Sequence, residues 1–410
     1  MRNPLPRRPA SATGRDDAPP PAASGHDGQV RAPGFGALLR YYLGLGTWGF
    51  GGPIATVGYM QRDLIERRHW LRESEFLDGV ALGQTMPGPL AAQVVMWVGF
   101  LRKGWAGALA TAAAFIGPSF LLVLTVAAIY ARYSGLAIVQ ALFYGIAPAV
   151  MAIIAIAAYK LARLTNRRDV RLWAISAVLA TVTAVTGAEI AYLFIAAGLL
   201  MIVLDAPPRW LRRGGGAALL PGAALAKAAP PWLVVTASAG VLASLGLFFL
   251  KAGAFIFGSG LAIVPFLRQG VVAQHHWLTS RQFIDAVAMG LITPGPVVIT
   301  ATFIGYLVAG LPGALVATLA IFIPIYLGVV LPGRWFVRHR DNAQIKAFVK
   351  GATAAAAGAI GGAVVVLTRQ TVTDIPTAAI AAVSLGLLLW RKIPEPVFVG
   401  LGAIAGILLH

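Results

Sequence analysis

Two glycine–proline sequences, each present twice, carry the residue types best suited to chemistry in this chain of 410 residues. The first is Gly49-Phe50-Gly51-Gly52-Pro53, answered by Phe257-Gly258-Ser259-Gly260. The second is Gln84-Thr85-Met86-Pro87-Gly88-Pro89, answered by Thr293-Pro294-Gly295-Pro296. Proline has no amide hydrogen and clashes with the preceding turn, so each Pro-Gly-Pro run should break a helix. In hydrocarbon, broken backbone is tolerated only where it is buried or lines a cavity. A helix restarting after a break presents free N–H groups and the positive end of its dipole, a place suited to an anion. A single break reads better as a close-packing or kink site. Paired breaks in both halves of a chain point instead to a binding site.

Neutral hydrogen-bonding side chains lie beside these breaks: Gln84, Thr85, Gln93, Ser259, Thr293, Thr300 and Thr302. They suit a tetrahedral oxyanion, whose oxygens each accept several hydrogen bonds, while any one threonine serves as well to cap its own helix backbone. Charged side chains near the breaks are few. Arg40 and Lys251 are the candidate anion attractors, the alternative being cations that snorkel from span ends. Asp78 and Asp285 are candidates for carrying a coupling proton, the alternative being carboxylates at helix N-termini. His69 and His276, each followed by Trp-Leu, read as interfacial segments, with pH sensing as the other reading. There is no His-x-x-x-His spacing, no GxxxxGK[ST] loop and no cysteine, so no metal, cofactor or enzyme activity is expected.

These breaks must be held by membrane-spanning helices. The chain is 58% hydrophobic and 12% charged, with mean hydropathy +0.77, whereas soluble proteins carry roughly twice that charged share. Its 33 Lys+Arg against 15 Asp+Glu would suit a nucleic-acid binder only on a soluble basic face; here they fall between apolar runs, and no nucleic-acid partner is expected. Stretches of about span length lie at 41–61, 79–101, 104–131, 133–159, 172–188, 190–204, 232–250, 252–267, 351–368, 375–390 and 396–409. The charge-free block 286–333 holds two more, broken near Gly310-Leu311-Pro312-Gly313. This predicts an all-α polytopic membrane protein of about 13 transmembrane helices. With the N-terminus inside and the spans alternating, 26 of the 33 basic residues fall on the cytoplasmic side, as the positive-inside rule asks, and the C-terminus lies outside. Residues 1–35 read as a disordered cytoplasmic tail, whose Arg7-Arg8 lacks the apolar segment of an export signal.

The two halves are related. His69-Trp70-Leu71 matches His276-Trp277-Leu278 at an offset of 207, as do Gly51 and Gly258, Phe76 and Phe283, Asp78 and Asp285, and the two Pro-Gly-Pro runs. At an offset of 206, Gly104, Gly107, Pro118, Gly145, Arg163 and Glu189 match Gly310, Gly313, Pro324, Gly351, Arg369 and Glu395. The expected organisation is a first repeat at 36–205, a cytoplasmic linker at 206–230, an extra linking transmembrane helix at 231–250 and a second repeat at 251–410. The extra helix turns the second repeat over, giving two inverted-topology repeats with Gly/Pro-broken helices. That is an architecture of secondary transporters.

With Phe50-Gly51-Gly52-Pro53, Met86-Pro87-Gly88-Pro89 and Thr293-Pro294-Gly295-Pro296 set around Trp70-Leu71 and Trp277-Leu278, the sequence resembles the chromate ion transporter family. The likeness is to its two-unit form and covers residues 36–409. It implies a bacterial inner-membrane protein that exports chromate, driven by the proton-motive force and giving chromate resistance, with sulfate a structural analogue. It also implies binding positions at Gly51, Gly52, Pro53, Gln84, Pro87, Gly88, Pro89 and Gln93, and at Gly258, Gly260, Thr293, Pro294, Gly295, Pro296 and Thr300. Ser259, counted with the binding positions, stands where glycine would be usual, and Leu291 stands where a counterpart of Gln84 would be expected. A sulfate or other anion carrier or channel is the alternative. A membrane-embedded enzyme is the third reading; a reductase would need a flavin, haem or thiol for which no motif stands. A homo-oligomer is compatible with the sequence.

Overall fold

The computed structural model of the protein describes residues 33–50, 52–186, 191–207, 240–256, 260, 263–339, 342–390 and 395–409, and every element among them is helical. Most of the expected tail, the linker, Gly51, Glu189, Gly258 and Ser259 lie outside the described residues.

The first half opens with α1 (Phe35–Trp48), followed after the glycine–proline break by α2 (Gly52–Met60) and its π-helical continuation Gln61–Arg67. These do not run in line. The Arg68 guanidinium lies 5.4 Å over the Tyr41 ring, and Trp70 stands 6.3 Å from it, so the chain turns back at 49–51. Next, α3 (Glu73–Thr85) and the first limb of α4 (Leu90–Tyr133) form a second hairpin with Pro87-Gly88-Pro89 at its tip. Trp97 Nε1 donates to the Glu75 carbonyl at 2.8 Å, and Gly83 packs on Leu90. α4 reverses in its turn at Lys103 and Gly104 (φ 59°). There Gly99 and Gly107 meet backbone to backbone, and Thr111 Oγ1 donates to the Val95 carbonyl at 3.1 Å. Only the limb 105–133 continues as a long helix, and α5 (Ala137–Asn166), α6 (Val170–Thr186) and α7 (Ala191–Asp205) complete this half.

The second half lays out its elements in the same order. α8 (Val241–Ala254) is followed by α9 (Ile263–Arg268) with its π-helical Gln269–Gln274, then by α10 (Ser280–Ile292), which matches α3 residue for residue at an offset of 207. A 3-10 turn, Val297–Ile299, leads into α11 (Thr300–Val330), which reverses at Ala309 and Gly310. Then come α12 (Gly333–His339), α13 (Ala343–Thr371), α14 (Ile375–Trp390) and α15 (Glu395–Leu409). Matched positions share unusual backbone angles. His69 and His276 have φ of 50° and 52°, and Gly104 (59°, −144°) is repeated in Gly310 (62°, −150°). Lys103 and Ala309 adopt one conformation with unlike side chains, so the turn is set by the glycine that follows.

The halves interlock through small residues, which let backbones approach where lipid gives no hydrophobic drive. α6 and α7 pack along α13: Ser176 Oγ donates to the Ala354 carbonyl at 2.8 Å, and Gly351 and Gly358 rest on the Ala197 and Ser176 backbones. In exchange, α14 and α15 pack along α5, where Gly145 meets Gly402 and Gly406. The long limbs run in opposite directions. Tyr326, late in α11, donates to the Trp105 carbonyl at 3.0 Å, where the first limb begins. Tyr130, where that limb ends, packs 5.2 Å from Phe303, which the Thr302–Thr318 contact of 2.7 Å sets level with the early part of the second.

Several expected spans are therefore redrawn. The stretches 41–61 and 79–101 each fold back on themselves, as does 252–267, where Phe248 of α8 packs 5.4 Å from Phe266 of α9. Arms of 9 to 14 residues reach roughly 20 Å at most, short of a hydrocarbon core of about 30 Å. Residues 241–250 of the expected linking helix open α8, which runs on to Ala254, so the boundary at 250/251 falls inside a helix. Residues 231–239 of that helix lie outside the described residues. The simple alternation of about 13 crossings does not survive these reversals. Among the described residues four helical stretches are long and apolar enough to cross a membrane, Ala137–Asn166, Ala343–Thr371 and the two that contain reversals, Leu90–Tyr133 and Val297–Val330, whose long limbs follow Gly104 and Gly310; five shorter apolar helices lie beside them.

Candidate functional site

Both Pro-Gly-Pro tips and the break between α8 and α9 meet between the long limbs. The Gly88 amide donates to the Ile256 carbonyl at 2.6 Å, and Gly260 stands beside both Pro89 and Val297. Each tip is seated on the other half of the chain. A side chain at Gly88 would strike Gln93 and Ile325, and one at Gly295 would strike Ser119; Ser119 and Ile325 are counterparts at an offset of 206. Both glycines have positive φ, 143° and 99°, which residues with a Cβ avoid. Ser119 Oγ, fully buried, also donates to the Pro294 carbonyl at 2.6 Å, a bond from one half to the other.

After each tip a helix begins on a proline that supplies no side-chain cap, Pro89 before α4 and Pro296 before the turn into α11. The first amides of a helix have no partner within it. Here they belong to positions 90–92 and 297–298, of which Ala91, Ala92, Val297 and Val298 are buried. Two helix N-termini, one from each half, thus offer neutral donors and two positive dipole ends to an anion.

The other expected residues divide by role. Gln93 is fully buried and its Nε2 donates to the Pro87 carbonyl at 3.0 Å and the Met86 carbonyl at 3.4 Å, so its amide protons shape the tip. Thr293 and Thr300 give their hydroxyl protons to the carbonyls of Met289 (3.0 Å) and Val297 (2.8 Å), which is the backbone-capping role. Gln84 is exposed on α3. Gly52 (φ 75°) and Pro53 start α2. Arg40 is exposed on α1, nine residues before Gly49, and Lys251 is half-buried in the last turn of α8. Asp285 is buried and accepts from Tyr130 Oη at 2.6 Å, joining α10 to the long limb of α4. Asp78 is half-buried, and the counterpart of Tyr130 on its side is Phe336, so the two carboxylates are not equivalent. His69 and His276 sit exposed at turns. Sequence pattern singles out neither Ser119 nor Tyr130. The one signal for Ser119 is its place directly after Pro118, a proline matched by Pro324.

Long apolar helices packed around paired broken helices define a polytopic helical membrane protein. The sequence matches the Chromate transporter family over residues 36–203 and again over 243–407. The chromate transport protein of Cupriavidus metallidurans is 50% identical over 374 residues, covering 91% of this chain and 92% of its own. A probable chromate transport protein of Synechococcus elongatus is 48% identical over 379 residues (90% and 94%), and a chromate transport protein of Pseudomonas aeruginosa is 29% identical over 350 residues (84% and 83%). No solved structure matches. The chain belongs to the chromate transporter family.

Proposed function

We propose that the protein is a secondary active transporter that exports chromate across the bacterial inner membrane, driven by the proton-motive force, and so gives chromate resistance. One observation carries this reading: two uncapped helix N-termini, after Pro89 and Pro296, meet from the two halves between antiparallel limbs. A tetrahedral dianion placed there accepts N–H bonds from both halves and meets the positive ends of two dipoles. Two repeats of inverted topology around a midplane site are the architecture that alternating access uses. The opposed limbs and matched reversals support that topology here.

Orientation follows from charge. With the chain turned back at 49–51 and at the first tip, the basic loops 62–72 and 102–103 share a face with the start of α1. The basic ends at 160–171 and 334–350 join them there, linked through Asp205 to Arg171 (2.9 Å) and Lys350 (3.8 Å). In this arrangement 16 of the 21 basic residues among the described residues lie on one face, which the positive-inside rule makes cytoplasmic. The N-terminus lies on that face and the C-terminus on the periplasmic one. Asp285 is the preferred proton carrier: protonating a buried carboxylate that bonds across the halves changes the balance between two arrangements. Lys251, close before the second break, is the nearer attractor, and Arg40 lies farther out.

Everted membrane vesicles test the reading through labelled-chromate uptake under an imposed proton gradient. The expected result is uptake that a protonophore collapses and excess sulfate only partly reduces. No uptake contradicts chromate export, and complete suppression by sulfate shifts the substrate to sulfate.

A further inference from the structure

The first hairpin carries a second cluster of anion-binding groups at its base, away from the tips. Tyr42 of α1 is 0% exposed, yet its hydroxyl has no hydrogen-bond partner. Within electrostatic reach of it is Arg102, the last residue before the Lys103–Gly104 reversal. Arg102 donates one guanidinium N–H to the Trp70 carbonyl, while its Nε is buried without a partner. Arg68 lies over the adjoining rings, 4.6 Å above Trp70 and 5.4 Å above Tyr41, whose ring stands 5.3 Å from that of Tyr42. The neighbouring carboxylate, Asp63, is paired with Arg62 (3.4 Å) and Arg67 (3.5 Å). Two buried donors without acceptors are costly, and beside two guanidinium groups the acceptor they lack is an anion.

The corresponding place in the second half keeps the tryptophan, as Trp277, but has lost the hydroxyls and guanidinium groups around it. Tyr41 and Tyr42 become Phe248 and Phe249, Arg102 becomes Val308, Lys103 becomes Ala309 and Arg68 becomes His275. Phe249 is fully buried, and His275 stacks on Trp277 with ring centroids 4.2 Å apart. Since the limbs run in opposite directions, the cationic cluster and its aromatic replacement face opposite sides of the molecule. We infer that Arg68, Arg102 and Tyr42 form a capture site for a tetrahedral dianion at the basic face, and that the second half, where Phe249, Val308 and His275 stand at those positions, binds the anion more weakly from the opposite face. The inference rests on the transporter reading above and concerns a site separate from the hairpin tips. Arg68 is exposed and meets the anion first; Arg102 Nε and Tyr42 Oη then replace its lost water.

The test compares wild type with Tyr42→Phe, Arg68→Gln and Arg102→Gln in phosphatidylcholine vesicles, measuring the KM for labelled chromate from each face. Tyr42→Phe removes only a hydroxyl and copies the residue of the second half, so it keeps the fold. The expected result is a KM raised about tenfold from the basic face, the loss of one charge-assisted hydrogen bond, with KM from the other face unchanged and Arg102→Lys recovering part of the loss. An unchanged KM in both Tyr42→Phe and Arg68→Gln overturns the inference. An equal rise from both faces overturns it as well. An effect seen only when phosphatidylglycerol is added assigns the cluster to a lipid phosphate and also overturns it. A wild type without transport fails the functional reading instead, so the two failures are distinguishable.

Discussion

At the scale of single residues, the tips depend on what is missing as much as on what is present. Gly88 and Gly295 combine positive φ with neighbours that leave no room for a Cβ. Alanine at either should strain the backbone by about 1–3 kcal/mol and push the tip off its seat, lowering uptake at least tenfold. Gly44→Ala, whose added methyl meets nothing within 4 Å, should transport as wild type does. Gln93→Leu leaves the Pro87 and Met86 carbonyls without their donor, and thermal unfolding in detergent should show a loss of about 1–3 kcal/mol. Asp285→Asn can still accept from Tyr130 but cannot carry a proton. Such a variant should exchange labelled for unlabelled chromate across vesicles while losing gradient-driven uptake; gradient-driven uptake at the wild-type rate removes Asp285 from coupling.

Among the elements, the hairpins carry the sharpest consequence, because they put the loops at 62–72 and 102–103, which strictly alternating spans would set on opposite faces, on the same one. The chain has no cysteine, so single-cysteine variants report cleanly. Glu66→Cys and Lys103→Cys should react with an impermeant maleimide from one face and Arg132→Cys from the other; labelling of positions 66 and 103 from different faces contradicts the reversal. The turn between α13 and α14 gives a pH test. Asp374, outside the spanning segments, accepts from the Thr377 amide at 2.9 Å and from Tyr144 Oη at 2.7 Å. These bonds, the Thr377 backbone amide first, hold its carboxyl below the usual range. Its stabilisation is therefore present above the ordinary carboxylate pKa and fades as pH falls through the lower folded value. The stability gap between wild type and Asp374→Asn should close in acid below about pH 4.

The duplication, the tips and the Gly310 reversal were all legible in the sequence, since proline and glycine announce themselves locally. Whether a break kinks a span or turns it back was not. Two 13-residue arms and a tip have the same apolar length as one interrupted crossing, and only distant pairs such as Tyr41 with Arg68 separate them. The end of the linking helix was not legible for the same reason: residues 241–250 continue its apolar run but open α8, the counterpart of α1, while 231–239 lie outside the described residues. Ser119 and Tyr130 carry no periodic signal inside long apolar helices, so their cross-half bonds emerge only from the packing.

Viewed as a whole molecule, the halves have exchanged helix pairs, α6 and α7 resting on α13 while α14 and α15 rest on α5. The exchange ties the long helices into one scaffold, and the expected motion is therefore of the hairpins within it rather than of one half rocking rigidly on the other. A disulfide between Ser176→Cys and Ala354→Cys, across the 2.8 Å contact of that scaffold, should leave chromate uptake running, whereas an arrest reversed by reductant would place the motion between the halves. In the proposed transporter both tips together form the anion site. The most direct test is labelled-chromate uptake by everted vesicles carrying Pro87→Ala with Pro294→Ala, at membrane abundance equal to wild type. Uptake should fall to background; uptake at the wild-type rate would mean that the tips do not hold the anion.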